Sequence, residues 1–177
     1  LKEQKDNTNY LEVLVRMCDR QGKVVMPMAF IPAAERYRQM PAVDRWVVKK
    51  TVECLQEYKV CQSNSVRCFI NISGQTISDA SFLTFISDLL LESKLNPACL
   101  CFEITETATI ANFKHAAKLI SVLQRLGCHF ALDDLGTGLS SFSYLKQLPV
   151  NYIKIDGSFI RNMADDPVAM AIVEAIS

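Results

Sequence analysis

The sequence predicts an α/β fold built from successive strand–helix units whose strands run parallel. Short apolar runs of strand character alternate with amphipathic helical stretches five times along the chain, which is typical of parallel β/α units. No Asn-Gly-type turn joins neighbouring strand candidates, so a sheet of antiparallel hairpins is disfavoured. A doubly wound open sheet and a (β/α)8 barrel both fit this pattern.

The composition is that of an ordinary globular chain. With 177 residues, 50% of them hydrophobic, the chain is long enough for one domain with a sizeable core. Nineteen basic residues balance nineteen acidic ones, so we expect no binding to a nucleic-acid polymer. The seven cysteines are scattered without a Cys-x-x-Cys pair, which favours a reducing compartment. Because no apolar run reaches the roughly 20 residues of a membrane span, we expect a cytoplasmic domain and no membrane insertion by this segment.

The elements of the first half follow from residue spacing. The polar stretch 1–9 predicts a loop, and the strand-like run 10–17 predicts the first strand. Residues 27–32, which begin and end with proline, predict a connector that leads into a short helix over 33–39. A longer helix is predicted over 41–57, because its apolar residues recur at helical spacing.

Strands and helices continue to alternate in the second half. Strands are predicted over 66–72 and 100–105, where apolar residues dominate. Between them, Ser78 is placed to cap a helix with several apolar residues on one face. Asn112 is placed to cap the next helix, and Gly127 to end it.

The last predicted units surround a glycine-containing turn. Two further strands end at Asp134 and Ile155, and between them lie a Gly-Thr-Gly turn and a short amphipathic segment over 142–148. A final helical stretch is predicted over 159–176. Charge at the end of a strand otherwise suited to burial costs several kcal/mol unless it is paired or holds a metal ion. This part of the chain therefore indicates a site.

Each of the five predicted strands carries polar side chains at or near its carboxyl end. In chain order these are Glu12 and Arg16; Asn71; Glu103, Thr105 and Glu106; Asp133 and Asp134; and Lys154 and Asp156. The carboxyl ends of parallel strands meet at one edge, where the functional residues of such folds lie. A single residue can be explained structurally, for example by a surface ion pair or a turn. The same feature on five successive strands favours one shared site.

The residue types at these strand ends restrict the chemistry. Carboxylate and amide oxygens suit Mg²⁺ or Mn²⁺, and one or two such ions would relieve the repulsion among the acids. With only two histidines, the chain fits zinc sites and His-based triads poorly. Lys154 is placed to position a water or to balance phosphate charge, and Arg16 to pair with a phosphate oxygen. These residues predict metal-assisted phosphoester hydrolysis and leave the substrate open.

These residues fall in motifs that resemble those of the EAL-domain family of cyclic di-GMP phosphodiesterases, and the resemblance extends over nearly the whole chain. The motifs are EVLVR at 12–16, FIPAAE at 30–35, FINIS at 69–73, EITE at 103–106, DDLGTG at 133–138 and KID at 154–156. The first is similar to the signature EAL-x-R with Val13 in place of Ala, an exchange that we expect to be tolerated. DDLGTG is similar to DDFGTG, with Leu135 in place of Phe.

The resemblance implies a TIM-like (β/α)8 barrel of the EAL type, incomplete in this chain. TIM barrels typically need about 250 residues, whereas 1–177 contains about five β/α units. We therefore expect a single EAL-like domain that is truncated at both ends, mostly at the C-terminal end. Later family motifs that supply a Glu and a Gln have no counterpart here. An open barrel would expose strand edges, which favours association.

The resemblance also implies a role for each residue of the predicted site. Lys154 and Glu106 would form the catalytic group, in which Lys154 orients the water and Glu106 braces the loop after Asp134, at 135–141. Leu14 and Arg16 would contact the substrate. The implied metal ligands, with Asp156 in support of the others, are Glu12, Asn71, Glu103, Asp133, Asp134 and Asp156.

The implied activity is hydrolysis of cyclic di-GMP to linear pGpG with two Mg²⁺ or Mn²⁺ ions. The implied partners are cyclic di-GMP, a second copy of the chain in a homodimer, and flanking sensory or GGDEF-type domains of the parent protein, which could also tether it to a membrane. The alternative is a catalytically inactive EAL domain that acts as a cyclic di-GMP receptor or a partner-binding module.

Overall fold

The computed structural model of the chain describes residues 8–59, 66–135 and 147–157, together with positions 161 and 170. Within this part, the strands are β1 (Asn9–Val13), β2 (Met17–Cys18), β3 (Val24–Val25), β4 (Val66–Asn71), β5 (Leu100–Thr105), β6 (His129–Leu135) and β7 (Tyr152–Ile155). The helices are α1 (Pro27–Arg36), α2 (Met40–Glu57), α3 (Gly74–Ile77), α4 (Ala80–Ser93), α5 (Glu106–Ala111) and α6 (Phe113–Arg125).

Five strands form one parallel sheet in the order β1-β4-β5-β6-β7, and this sheet makes a half-barrel. Every neighbouring pair in it is parallel. Between β1 and β4, β4 and β5, and β5 and β6, the described connections contain helices that return the chain to the same end of the sheet. The predicted class, an α/β fold of parallel β/α units in an incomplete TIM-like barrel, is confirmed.

The core lies between the sheet and the helices. Strand β5 is buried along nearly its whole length, as expected for a central strand of a parallel sheet. Helix α2 buries one face, made by residues spaced three or four positions apart. The largest completely buried side chains include Phe82, Phe102 and Phe130, whose rings contact one another in sequence from α4 through β5 to β6.

The first predicted strand is shorter than expected, and a hairpin follows it. β1 ends at Val13, so the prediction that Arg16 lies on this strand is wrong. β2 and β3 form a small antiparallel ribbon that the sequence analysis missed. Its turn is held by the Asp19 carboxylate, which accepts hydrogen bonds from the backbone N–H groups of residues 21 and 23. Gly22 adopts the positive φ of 80° that this turn requires.

The prediction of a connector over 27–32 is wrong, because helix α1 occupies residues Pro27–Arg36. Pro27 stands at the start of the helix, where proline is favoured because its missing N–H would have no helical partner. Pro32 lies inside the helix, and the loss of one intrahelical hydrogen bond there is tolerated.

Two predicted helix caps are also corrected. Helix α4 is capped by Asp79, which accepts a hydrogen bond from the Ser81 N–H, and Ser78 instead ends the short helix α3. Asn112 stands at the start of α6, but its side chain makes no capping bond. The Asn112 amide donates to the Ala108 carbonyl and accepts a hydrogen bond from Ser78 Oγ.

Some predicted elements lie outside the residues that the structure describes. The Gly-Thr-Gly turn, most of the amphipathic segment 142–148, and the helix predicted over 159–176, except at 161 and 170, lie outside the described residues. Among the helices that are described, none has the length and apolar character needed to cross a bilayer.

Candidate functional site

Strand register brings the predicted polar residues to one end of the sheet. Asn71 at the end of β4 lies opposite Glu103 on β5, and Thr105 lies opposite Asp133 on β6. Because side chains alternate along a strand, residues two positions apart share a face. This alternation carries Glu103 and the last residues of the neighbouring strands to the same side of the half-barrel.

The centre of the site is the ammonium group of Lys154. Lys154 Nζ lies 2.8 Å from Glu103 Oε1, 3.7 Å from Glu12 Oε1 and 3.8 Å from Asp133 Oδ2. Carboxylates from β1, β5 and β6 therefore converge on one lysine from β7. We call Glu12, Glu103, Asp133 and Lys154 the strand-end cluster.

Glu103 is the most buried member of the strand-end cluster. The side chain is 0% exposed, and its Oε2 atom has no hydrogen-bond partner among the described residues. Burial raises the pKa of Glu103, the nearby Lys154 lowers it, and Asp133 and Glu12 raise it further. Burial by itself lowers the pKa of Lys154, but the Glu103, Asp133 and Glu12 carboxylates outweigh it and keep that pKa above its ordinary value. The cluster thus holds more negative charge than one lysine balances.

Asp134 joins the site through an irregular strand. The pairing of β6 with β7 shifts between Leu132 and Leu135, and Asp134 takes a left-handed φ of 56°. That conformation is unfavourable for a residue other than glycine and is often found at functional positions. Burial, followed by the Asp133 and Asp156 carboxylates, raises the pKa of Asp134, while Lys154 opposes this shift. Asp134 therefore lies within electrostatic reach of Asp133, Asp156 and Lys154.

Glu106 lies just beyond the cluster, at the start of helix α5. It is 2% exposed, and the preceding residue, Thr105, caps the helix by accepting a hydrogen bond from the Ala108 N–H. A carboxylate in the first turn is favoured by the helix dipole. Of the loop that Glu106 is predicted to brace, only Leu135 lies within the described residues.

A cleft of about 1000 Å³ opens beside the cluster and is lined by residues from β1, α1, α2 and the loop after β4. Leu14, Arg16 and Asn71 are part of its wall. Leu14 is 57% exposed, and Arg16 donates a hydrogen bond only to the neighbouring Val15 carbonyl within the described structure. Asn71 lies opposite Glu103 in the sheet, so the cleft and the cluster are adjacent. A cleft of this size is large enough for a nucleotide ligand.

The donor groups fit a hard divalent cation. They are carboxylate and amide oxygens, which Mg²⁺ and Mn²⁺ prefer, and the buried Glu103 Oε2 has no hydrogen-bond partner in the described part of the chain. Across those same residues, however, no three acidic, histidine or cysteine side chains are close enough together to hold a metal ion as they stand. The Lys154 ammonium lies between the carboxylates instead.

One residue beside the cleft was missed in the sequence analysis. Asp44 lies on α2, is 4% exposed, and its Oδ2 accepts hydrogen bonds from the Ser73 N–H at 2.9 Å and from Thr76 Oγ1 at 2.6 Å. Burial raises the pKa of Asp44, and these hydrogen bonds partly offset that rise. The helical spacing contains a signal for its burial, because Asp44 precedes the buried Val47 and Val48 by three and four positions.

A parallel β/α half-barrel with acids and a lysine at the carboxyl ends of its strands belongs to the TIM-barrel-like α/β proteins, whose sites lie at this face. The chain can be placed more narrowly by comparison with known proteins. It belongs to the EAL domain family, whose sequence profile matches residues 3–177.

The chain is similar in sequence to proteins of known name. The chain is 37% identical over 167 residues to the cyclic di-GMP phosphodiesterase PdeB of Shewanella oneidensis, covering 94% of this chain and 19% of PdeB. It is 34% identical over 167 residues to the cyclic di-GMP phosphodiesterase PdeF of Escherichia coli K12, covering 94% of this chain and 22% of PdeF. The chain thus spans about a fifth of the length of these relatives.

Solved EAL structures have the same fold. The FimX EAL domain from Pseudomonas aeruginosa bound to c-di-GMP superposes with a TM-score of 0.87 at 29% identity, covering 98% of this chain and 69% of that one. The PaMucR phosphodiesterase in complex with c-di-GMP gives a TM-score of 0.82 at 29% identity, covering 93% of this chain and 67% of that one.

Proposed function

We propose that this chain is part of the catalytic domain of a phosphodiesterase that opens cyclic di-GMP to linear pGpG with Mg²⁺ or Mn²⁺. The observation that carries the proposal is the convergence of Glu12, Glu103 and Asp133 on Lys154 at the strand ends. Membership in the EAL domain family and the named activities of PdeB and PdeF support the substrate.

The proposed metal site uses the oxygen donors around Lys154. Two divalent ions would be held by Glu12, Asn71, Glu103, Asp133 and Asp134, with support from Asp156. Bound there, such ions supply charge that activates a water and stabilises a phosphoryl oxygen. The fully buried Glu103 supports this assignment, because a buried carboxylate is most stable beside compensating cations.

The remaining residues are proposed to bind the substrate and handle charge. Lys154 donates a hydrogen bond to the attacking water, and its positive charge faces the phosphate. Arg16, exposed on the wall of the cleft, pairs with a phosphate oxygen in the geometry that guanidinium groups favour. Leu14 offers an exposed apolar surface beside it for the ligand. Glu106 braces the segment that begins at Leu135.

We also propose that the domain acts in the cytoplasm as a homodimer within a larger protein that carries sensory or GGDEF-type domains. The length of the relatives, of which the chain spans 19% in PdeB and 22% in PdeF, supports the larger protein. Size measurement by light scattering of the purified parent protein tests the dimer. A monomer at micromolar concentration contradicts it.

The test of the activity is incubation of the purified protein that carries this chain with cyclic di-GMP and Mn²⁺, followed by chromatography. We expect pGpG to form, and chelation by EDTA to stop its formation. Glu103→Gln should lower the rate by about 10²–10⁴-fold, in the range for loss of a group that acts directly in catalysis. Glu53→Gln, an exposed change on α2, is the matched control and should retain wild-type activity. A folded wild-type protein that forms no pGpG contradicts the proposal.

A second candidate is a receptor that binds cyclic di-GMP without cleaving it. One observation favours it: in the described part of the chain no three acidic, histidine or cysteine side chains are close enough together to hold a metal ion. Calorimetry with cyclic di-GMP in the presence of EDTA separates the two functions. Tight binding without metal and without turnover would support the receptor.

A further inference from the structure

Asp44 has a buried carboxylate that makes no ion pair within the described structure. Burying an ionised carboxylate costs several kcal/mol unless hydrogen bonds or a cation compensate it. Here the compensation comes from the Ser73 N–H and the Thr76 hydroxyl, which both donate to Oδ2. Both donors belong to the turn that follows Asn71, so the carboxylate acts on that turn.

The turn after Asn71 is closed by its own hydrogen bonds as well. Ser73 Oγ accepts from the Thr76 N–H and caps the short helix α3. Thr76 is 0% exposed, and its hydroxyl lies 3.1 Å from Ser73 Oγ. Asp44, Ser73 and Thr76 therefore form one compact network beneath the turn.

Two further contacts hold the turn from the opposite side. The Ile72 N–H donates to the Glu103 carbonyl at 2.8 Å, which continues the pairing of β4 with β5. A Cβ atom added at Gly74 would lie 3.3 Å from Ala108 Cβ of helix α5, so the turn packs closely against that helix. The turn after Asn71 is therefore held by Asp44 from α2 and by contacts with β5 and α5.

The position of Asn71 depends on these contacts of the turn that follows it. Its side chain is exposed on the cleft wall, and within the described structure no hydrogen bond holds it. The backbone on either side therefore fixes the Asn71 Cα and Cβ atoms, and with them the region that the amide oxygen can reach. On the C-terminal side, that backbone is fixed by the bond from the Ser73 N–H to Asp44, two residues away.

We propose that Asp44 is a positioning residue for Asn71: its carboxylate holds the turn after β4 and thereby keeps the Asn71 amide in place as a ligand of a divalent cation. This inference rests on the proposed function, because it assigns Asn71 to the metal site. Outer-sphere groups that orient a ligand are typically worth about 10–100-fold in metal affinity.

The test measures Mn²⁺ binding by calorimetry in the purified protein without substrate. We expect Asp44→Ala to weaken Mn²⁺ binding roughly 10- to 100-fold. Asp44→Asn keeps an acceptor oxygen for the Ser73 N–H and should restore affinity to within a few-fold of wild type. Thr76→Val removes one of the two donors and should give an intermediate loss, which provides a second variant if Asp44→Ala fails to fold.

Val48→Ala is the matched control, since Val48 lies one turn further along α2 and is 0% exposed. It should lower the melting temperature and leave Mn²⁺ affinity unchanged. A readout independent of metal is hydrogen exchange at the Ser73 amide, which should become faster in Asp44→Ala than in Val48→Ala.

The outcomes separate this inference from the function on which it rests. Wild-type Mn²⁺ affinity in a folded Asp44→Ala variant, or an equal loss of affinity in Val48→Ala, overturns the role of Asp44 and leaves the proposed function standing. A wild-type protein that binds no Mn²⁺ overturns both.

Discussion

At the scale of single residues, the ion pair between Lys154 and the buried Glu103 is the most informative interaction. Lys154→Met leaves the Glu103 carboxylate uncompensated in a position that water does not reach. We expect the free energy of unfolding to fall by about 1–3 kcal/mol, less than for a fully buried pair, because Lys154 is 38% exposed and solvent screens its charge. Urea denaturation measures the change.

A double variant and a matched control sharpen this prediction. Glu103→Gln in the Lys154→Met background should recover part of the lost stability, because it removes the uncompensated charge. Lys50→Met breaks an ion pair of similar length, 2.7 Å, whose partners are both exposed, and should change stability far less. Equal effects of Lys154→Met and Lys50→Met would contradict the importance of burial.

His129 makes stability depend on pH at the opposite end of β6. Burial, and then the nearby Arg67, lower the pKa of His129 below 6.5, so the folded state favours the neutral ring. Its contribution to stability is complete above about pH 6.5 and is lost as the pH falls through the lowered folded-state value. Between about pH 7.5 and about pH 5.5, His129→Phe should lose less stability than wild type in thermal unfolding. Parallel pH profiles would contradict this.

Some residues of the site were predictable from the sequence and others were not. Charged residues in otherwise apolar strands, such as Glu103 and Lys154, are conspicuous because their burial is costly. The left-handed conformation of Asp134 was not predictable, because it results from a shift in pairing with β7. Asp44 was overlooked because an aspartate inside a helix usually faces solvent.

At the scale of elements, substitutions at the C-terminal ends of two helices should change stability in opposite directions. Lys94 ends α4 with a left-handed φ of 54°, where glycine is free of strain, so Lys94→Gly should raise stability by about 0.5–1 kcal/mol. Gly127 follows α6 with a φ of 97°, and an added Cβ would lie 3.4 Å from Pro97 Cβ. Gly127→Ala should therefore lower stability by roughly 1–2 kcal/mol. Urea denaturation measures both, and changes of the same sign would contradict the argument.

Regular elements were predictable where burial imposes a period. Strand β5 and helices α2 and α6 match their expected positions because one continuous or periodic set of apolar residues defines each. The hairpin β2–β3 was missed because its strands have only two residues each. Helix α1 was predicted to be a connector because Pro27 and Pro32 were interpreted as breakers. Pro27 instead stands at the helix start, where proline is favoured, and the one hydrogen bond lost at Pro32 inside the helix is tolerated.

At the scale of the whole molecule, the class of fold was predictable and the strand register was not. The alternation of strands with helices in the sequence predicts parallel neighbours, since a helical connection returns the chain to the same end of the sheet, and the five described strands of the sheet are parallel. Which residues then lie opposite one another, such as Asn71 and Glu103, depends on packing between distant parts of the chain. That register decides which acids become neighbours and therefore what the site binds.

The proposed metal site predicts a link between metal binding and the stability of the entire fold. Lys154 leaves part of the charge of Glu12, Glu103 and Asp133 unbalanced, so a cation bound only by the folded state shifts the unfolding equilibrium. Mn²⁺ at 100 times its dissociation constant should stabilise the fold by about 2.7 kcal/mol, which raises the melting temperature of a domain this size by roughly 5–10 °C.

Calorimetric scans with Mn²⁺ and with EDTA measure this shift, and Glu103→Gln is the variant in which we expect most of it to disappear. Glu53→Gln serves as the control, because Glu53 pairs with Lys50 on the exposed surface of α2 and should leave the shift intact. A melting temperature that Mn²⁺ does not change in the wild type would mean that the acids are neighbours for a structural reason alone. A shift retained in Glu103→Gln would place the cation elsewhere on the molecule.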